Sequence, residues 1–294
     1  MEFERNKHLL IPVISISRPI WEELELLTNE AVLLGMFERA VNLLIGESVI
    51  ALVLPELQNG AFHIVVPFLP NLRTSALWIK KLPEGLQIGD TLLQVSATSK
   101  IWEPKPDWEA VNISSDTIQI IKVVALEEML EKEQFDASPF GEVFKGKGVP
   151  LLAELSQAVW STNQTQVTTA VSKIAGLGPG LTPSGDDFLS GLMLAIYALK
   201  QSPDSLAAAE QCSRIYEAAA GRTTRLSRAF LQSAARGYCD ERWHTFLRAV
   251  SGRDENAVRD SVHRILSFGA TSGLDMLSGF LWMFETALYS NQKR

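Results

Sequence analysis

The sequence holds little that would tie it to metal, membrane or nucleic acid. Only two of its 294 residues are cysteine, Cys212 and Cys239. They form no CxxC pair or other metal-ligand spacing, so neither a disulfide framework nor a zinc site is expected, and both read as reduced, buried thiols. The four histidines, His8, His63, His244 and His263, show no ligand spacing to one another and no Ser-His-Asp or Cys-His array. Basic residues are outnumbered, 27 Lys and Arg against 34 Asp and Glu, for a net charge of -7. That balance argues against a nucleic-acid partner and leaves small molecules and other proteins. No apolar run reaches the roughly 18 residues that span a bilayer. The run Leu9 to Ile16 that follows the charged Met1 to Lys7 is short and has no small-residue cleavage site after it. The expectation is a cytoplasmic protein with no membrane partner. Low-complexity tracts are absent, and an apolar fraction of 46% with 21% charge is ordinary for a globular chain.

The length suits one large domain or two ordinary ones. The first half is rich in β-branched runs. Glu47 to Leu54 and Ala61 to Phe68 flank Gln58-Asn59-Gly60, which reads as a hairpin. Further strands are expected at Phe37 to Leu44, Leu92 to Ala97 and Thr117 to Val124, with a short helix at Trp21 to Leu27. Turn residues Pro83, Gly85, Gly89-Asp90, Pro104 and Pro106 recur at the spacing of a small barrel or sandwich. A Pro- and Gly-punctuated hinge at Phe135 to Pro150 divides domains expected at 1–140 and 141–294. Beyond it the pattern is helical: Leu151 to Trp160, Thr162 to Ala175, Phe188 to Leu199, Ser205 to Ala220, Thr223 to Arg236, Trp243 to Val250, Glu255 to Ser267 and Leu274 to Tyr289. Phe188 to Leu199 and Leu274 to Tyr289 are apolar nearly all round, the mark of core helices. The fold class is therefore α+β, an N-terminal β-barrel-like domain followed by an all-helical C-terminal domain.

The functional signal concentrates in residues 176 to 191, GLGPGLTPSGDDFLSG. Gly176, Gly178 and Gly180 allow close backbone approach and positive φ, while Pro179 and Pro183 stiffen the same loop. Thr182 and Ser184 place hydroxyls before a helix whose first turn carries Asp186 and Asp187. A helix cap explains one Ser and one Asp. It does not explain the alternating glycines, the prolines and the second carboxylate. Loop amides and a helix N-terminus make an anion site. A bare phosphate would be repelled by the aspartates, so either they face away or Mg²⁺ bridges them to the anion. No Lys follows the glycines as in a Walker A loop, and no βαβ strand precedes them as in a Rossmann fingerprint.

The pattern returns near the C-terminus. Ser184, Gly185, Asp187, Leu189, Ser190 and Gly191 recur as Ser272, Gly273, Asp275, Leu277, Ser278 and Gly279, each set opening an apolar helix and each preceded by a Thr, Thr182 or Thr271. The repeat reads either as two similar caps or as a pseudo-symmetric pair. In the second case Gly191 and Gly279, each on the face of its Asp, let the helices cross closely and bring Asp187 and Asp275 to one pocket. A third cluster, Arg222, Thr223, Thr224, Arg225, Ser227 and Arg228, reads as a capped helix start or as the remainder of an anion pocket.

At these residues the chain resembles a bacterial family. The blocks GLGPGLTPSGDDFLSG, TTRLSRAFLQSAARG (Thr223 to Gly237) and TSGLDMLSG (Thr271 to Gly279) look like its characteristic blocks, with softer similarity at FERAVNLL (Phe37 to Leu44) and LPELQNGAFHIVV (Leu54 to Val66). The family is that of the AllH-like subunit of oxamate carbamoyltransferase. The resemblance implies a role in allantoin breakdown, the interconversion of oxalurate plus phosphate with oxamate plus carbamoyl phosphate, and assembly with other enzyme subunits. It implies no catalytic residues. Those rest on the residues themselves: Asp186, Asp187 and Asp275 to orient substrate or metal, and Gly176, Gly178, Gly180, Thr182, Ser184, Gly185, Ser272, Gly273, Arg222, Thr223, Thr224 and Ser227 to bind a small anion (carbamoyl phosphate, oxamate or oxalurate). If a cofactor is used, Mg²⁺ on Asp187 and Asp275 is the expectation. A non-catalytic scaffold subunit and an independent Mg²⁺-dependent hydrolase are the alternatives.

Overall fold

The computed structural model describes residues 9–23, 30–72, 76–131, 138–146, 149–199, 205–252 and 254–291. The chain divides into two compact units, Met1–Pro104 and Lys105–Arg294. The first is built from β1 (Leu9–Pro12), β2 (Ser15–Ser17), α1 (Arg18–Glu23), β3 (Glu30–Met36), β4 (Ala40–Ile45), β5 (Ser48–Val53), β6 (His63–Val65), β7 (Ala76–Leu82), β8 (Gly85–Ile88), β9 (Thr91–Gln94) and β10 (Lys100–Trp102). The strands form one curled sheet in the order β1-β9-β8-β7-β3-β4-β5-β6-β2-β10. β1 and β2 are separated only by Val13 and Ile14 yet lie at opposite ends of that order, which draws the two ends of the sheet together into a half-barrel. Ile11, Ile16, Val41, Leu43, Leu52, Ile64, Ile88 and Leu93 fill its interior with almost no exposure. β5 and β6 are buried along nearly their whole length, as their continuous apolar runs suggest.

One local expectation fails here. β5 and β6 are parallel, with Ala51 opposite His63 and Val53 opposite Val65, so they are not a hairpin. Pro55–Leu57 makes a 3-10 turn and Gln58 takes φ 60°, and β6 then begins alongside Ala51, midway along β5. Gly60 is packed against the His63 ring, where a Cβ would come within 2.6 Å. The hairpin instead joins β4 to β5 through Gly46 and Glu47, where Ile45 pairs with Ser48 and Gly46 has φ 59°. The expected helix at Trp21 to Leu27 is observed as α1, and its last residues, 24–27, lie outside the described residues.

The second unit contains α2 (Ser115–Glu131), α3 (Ala153–Ala158), α4 (Gln164–Val171), α5 (Ser184–Leu199), α6 (Ser205–Ala219), α7 (Arg225–Ala235), α8 (Glu241–Gly252), α9 (Glu255–Leu266) and α10 (Ser272–Asn291), with no strand among the described residues. The run Thr117 to Val124, expected as a strand, lies inside α2. Ser114 caps it, its Oγ accepting from the Thr117 amide at 3.1 Å. Ile118, Ile121, Val124 and Ala125 then bury one helical face, so packing outweighs β propensity. The helical unit consequently begins before the expected start at 141. The stretch expected as a hinge is described for 138–146 and 149–150, and there it is part of the unit: Phe140 is fully buried and stacks on Phe188 with centroids 4.3 Å apart.

At the centre α5 is buried along its length from Ser184 to Ala198, and α10 crosses it. Each fully buried Leu, Ile or Phe contributes about 1.5–3 kcal/mol, so these all-apolar helices need the other helices as a shell. No helix among the described residues is long and apolar enough to cross a membrane.

Candidate functional site

The two cassettes meet where α5 crosses α10. A Cβ on Gly191 would fall 1.8 Å from the Met276 carbonyl oxygen, and one on Gly279 would fall 1.9 Å from that of Phe188. Met276 and Phe188 occupy the same cassette position, immediately after Asp275 and Asp187. The crossing is therefore reciprocal, and only glycine permits backbone contact this close.

The reciprocity extends outward. Gly185 and Gly273 lie against the carbonyls of Ile174 and Ile265, at the ends of the preceding helices, where a Cβ would come within 1.8 Å and 1.9 Å. Gly185 N–H donates to Leu177 O at 2.9 Å, and Gly273 N–H donates to Phe268 O at 3.0 Å. Asp187 N–H donates to Pro183 O at 3.1 Å, and Asp275 N–H to Thr271 O at 2.9 Å. Ser190 and Ser278 hydroxyls donate to the carbonyls of Asp186 and Leu274, four residues back. The short repeat in sequence is thus the visible part of a duplicated helix-loop-helix unit, α4–α5 and α9–α10.

This arrangement buries Asp187 and Asp275 at 4% and 0% exposure. Burial pushes Asp187 up to about 8 from its usual 3.8; the Ser272 hydroxyl pulls it down, the charges of Asp275 and Asp186 add to the rise, and the Thr182 hydroxyl opposes it. Burial likewise raises Asp275, opposed by the hydroxyls of Ser138, Ser184 and Thr271. Each carboxylate is thus faced by the opening serine of the other cassette. Thr182 Oγ1 and Ser272 Oγ are themselves 3.1 Å apart. Asp187 Oδ2 and Asp275 Oδ2 are both buried without a hydrogen-bond partner.

Asp186 has a different place. Its Oδ1 accepts from the Gly176 amide at 2.9 Å, and its Oδ2 accepts from the hydroxyls of Thr223 and Ser227, the latter at 2.8 Å. It ties the glycine loop and the start of α7 to the start of α5. Thr224 is the α7 cap: its Oγ1 accepts from Ser227 N at 3.0 Å and donates to Leu181 O at 2.5 Å. The hydroxyls of Thr223, Thr224 and Ser227 are therefore engaged within the chain. Gly176, at φ 75°, lies against the Arg222 carbonyl, where a Cβ would come within 2.3 Å. Gly178 and Gly180 also have positive φ, and the loop from Leu177 to Leu181 is exposed, as are Arg222 and Arg225.

The sequence reading missed Ser138, whose hydroxyl donates to Asp275 Oδ1 across 137 residues and also accepts from Phe140 N at 3.0 Å. Its local signal, a Ser before Pro139 in a loop, marks a turn and says nothing about its distant partner. Among the described residues no group of three or more His, Cys, Asp or Glu side chains could hold a metal. The Asp187–Asp275 pair is a group of two carboxylates faced by hydroxyls.

No solved structure matches the chain. Residues 174–284, from the glycine loop through most of α10, match the family model described as oxamate carbamoyltransferase subunit AllH.

Proposed function

We propose that the chain is one subunit of a carbamoyltransferase of the oxamate type, working with other subunits in allantoin breakdown. The observation that carries this reading is the buried Asp187–Asp275 pair, built by interlocked cassettes inside the matched segment. In the forward direction a phosphate oxygen bonds to the carbamoyl carbon of oxalurate. The bond from that carbon to the oxamate nitrogen breaks, and the proton of hydrogen phosphate passes to the nitrogen. Such a transfer depends on positioning and on polar groups aimed at the developing charge. The carboxylates of Asp187 and Asp275 orient the N–H groups of the substrate. The hydroxyls of Thr182, Ser184 and Ser272 donate to its carbonyl oxygen. The exposed loop at Gly178 and Gly180, with Arg222, takes the anionic end. Asp186 positions that loop through Gly176, Thr223 and Ser227.

A scaffold reading is favoured by one observation, the near-complete burial of the pair. In that reading the cassettes serve helix packing and the chemistry lies in a partner. The test is thermal-shift titration with phosphate, carbamoyl phosphate, oxamate and oxalurate, followed by phosphate-dependent oxalurate cleavage after reconstitution with the co-purifying subunits. A ligand at about 100 times its Kd stabilises a fold by roughly 2.7 kcal/mol. The transferase reading expects Asp187→Ala to lose both the shift and the activity while remaining folded. A reconstituted Asp187→Ala enzyme with undiminished turnover would establish the scaffold reading instead.

A further inference from the structure

We infer that Asp187 and Asp275 together hold a hard divalent cation of the magnesium class at the crossing of the two cassettes. The inference deepens the transferase reading, though its test does not depend on transfer. Its starting point is the pair of carboxylate oxygens, Asp187 Oδ2 and Asp275 Oδ2, buried and without hydrogen-bond partners. An ionised, unpartnered carboxylate in a protein interior is costly, and buried charges are ordinarily paired or coordinate metals. Among the described residues no Lys or Arg fills that role: the side chains facing the pair are the hydroxyls of Ser138, Thr182, Ser184, Thr271 and Ser272, and Asp186 adds more negative charge.

The donor set defines the class of ion. It is oxygen throughout, with no imidazole or thiolate, which suits Mg²⁺, Mn²⁺ or Ca²⁺ and disfavours zinc or copper. Two carboxylates leave several coordination positions for water or substrate oxygens, the arrangement Mg²⁺ prefers to an all-protein cage. The pseudo-symmetry supplies the geometry, since each cassette delivers one carboxylate and one opening serine to the same point. The ion also removes an electrostatic conflict. Once the pair ionises without it, three aspartates at the start of α5 and α10 repel a phosphate or carboxylate. With it, the pair becomes an anion receptor beside the exposed glycine loop.

The test uses the full-length chain, stripped with EDTA and dialysed, with Mn²⁺ as the probe. Electron paramagnetic resonance counts bound Mn²⁺, and Mg²⁺ is titrated as competitor. The expected result is one Mn²⁺ per chain, displaced by Mg²⁺ and lost in Asp187→Asn and in Asp275→Asn, each checked for folding by circular dichroism. Ser138→Ala removes only a hydroxyl that orients Asp275, so it should fold and weaken binding about tenfold. Absence of Mn²⁺ binding to the wild-type chain would overturn the inference. So would undiminished binding in either Asn variant, or in Ser138→Ala if both Asn variants fail to fold. Mn²⁺ binding without transferase activity in the reconstituted assembly would leave the cation site standing and remove the transferase reading. Transfer that persists in EDTA, with no Mn²⁺ bound, would do the reverse.

Discussion

Replacing Asp187 by Asn should change how stability depends on pH. In the unfolded chain this carboxyl ionises near 3.8, and in the folded chain near 8. Between those values the folded protein keeps a proton that the unfolded chain has released. Stability therefore falls as pH rises, by up to about 1.4 kcal/mol per pH unit. The contribution is fully present below 3.8 and is lost as pH climbs through about 8. Over the roughly three units from weakly acidic to neutral solution, the loss is on the order of 4 kcal/mol. Asn cannot ionise, so in EDTA Asp187→Asn should be more stable than wild type at neutral pH by up to that amount. Near pH 4 the two should be close, about where both side chains are neutral. Asp275, raised by the same burial, contributes its own fall in stability with pH to both proteins. Urea unfolding across a pH series reads this directly, with an unchanged m-value confirming that the unfolded reference is the same. Parallel stability–pH curves for the two proteins would refute the argument. A saturating divalent cation should flatten the wild-type slope, because the ion takes over from the proton.

Three further outcomes test the packing around the site. Gly191→Ala or Gly279→Ala places a methyl within 1.9 Å of a helix carbonyl, so either should cost about 3 kcal/mol or more in urea unfolding. Gly252→Ala, where nothing lies within 4 Å, should be neutral or stabilising by about 0.5 kcal/mol, and equal effects at the three positions would contradict the close crossing. Asp186→Ala strands the Gly176 amide and the hydroxyls of Thr223 and Ser227. It should cost about 3 kcal/mol and speed hydrogen exchange at Gly176, and an unchanged unfolding midpoint would exclude the latch.

The helices after residue 150 were legible because they carry a 3.6-residue apolar period or, as in α5 and α10, are apolar nearly all round, and their observed ends lie within a few residues of those expected. The barrel-like character of the first unit was legible from short β-branched runs and from turn residues recurring between them. What failed were the places where a local rule competed with a distant contact. Asn59-Gly60 carries the strongest hairpin dipeptide in the chain. Yet Pro55–Leu57 coils the chain first, and β6 finds its antiparallel partner in β2, far away in sequence. Thr117 to Val124 has strand composition, but its Ile118-Ile121-Val124-Ala125 spacing is helical and Ser114 supplies a cap.

The crossing of the two cassettes was legible for a different reason: the segment is duplicated. A single Ser-Gly-x-Asp-x-Leu-Ser-Gly segment reads equally well as a helix cap. Two of them on two all-apolar helices contain the rule for their own assembly, since a glycine one turn after each Asp can only be required if something passes close to that face. The structure places there the backbone of the other cassette, at the equivalent residue. Once that reciprocity holds, the proximity of Asp187 and Asp275 follows from the crossing and needs no further signal. The split among the aspartates was not legible. Asp186 and Asp187 are adjacent in sequence and both open α5, but they point along different radii of the helix. One meets Gly176, Thr223 and Ser227 and has its acceptors filled, while the other meets the second cassette and keeps one unfilled. A sequence gives the angle between neighbouring side chains but not what stands opposite each. For the same reason Ser138 was invisible: its only claim on the site is a hydrogen bond to a residue 137 positions away.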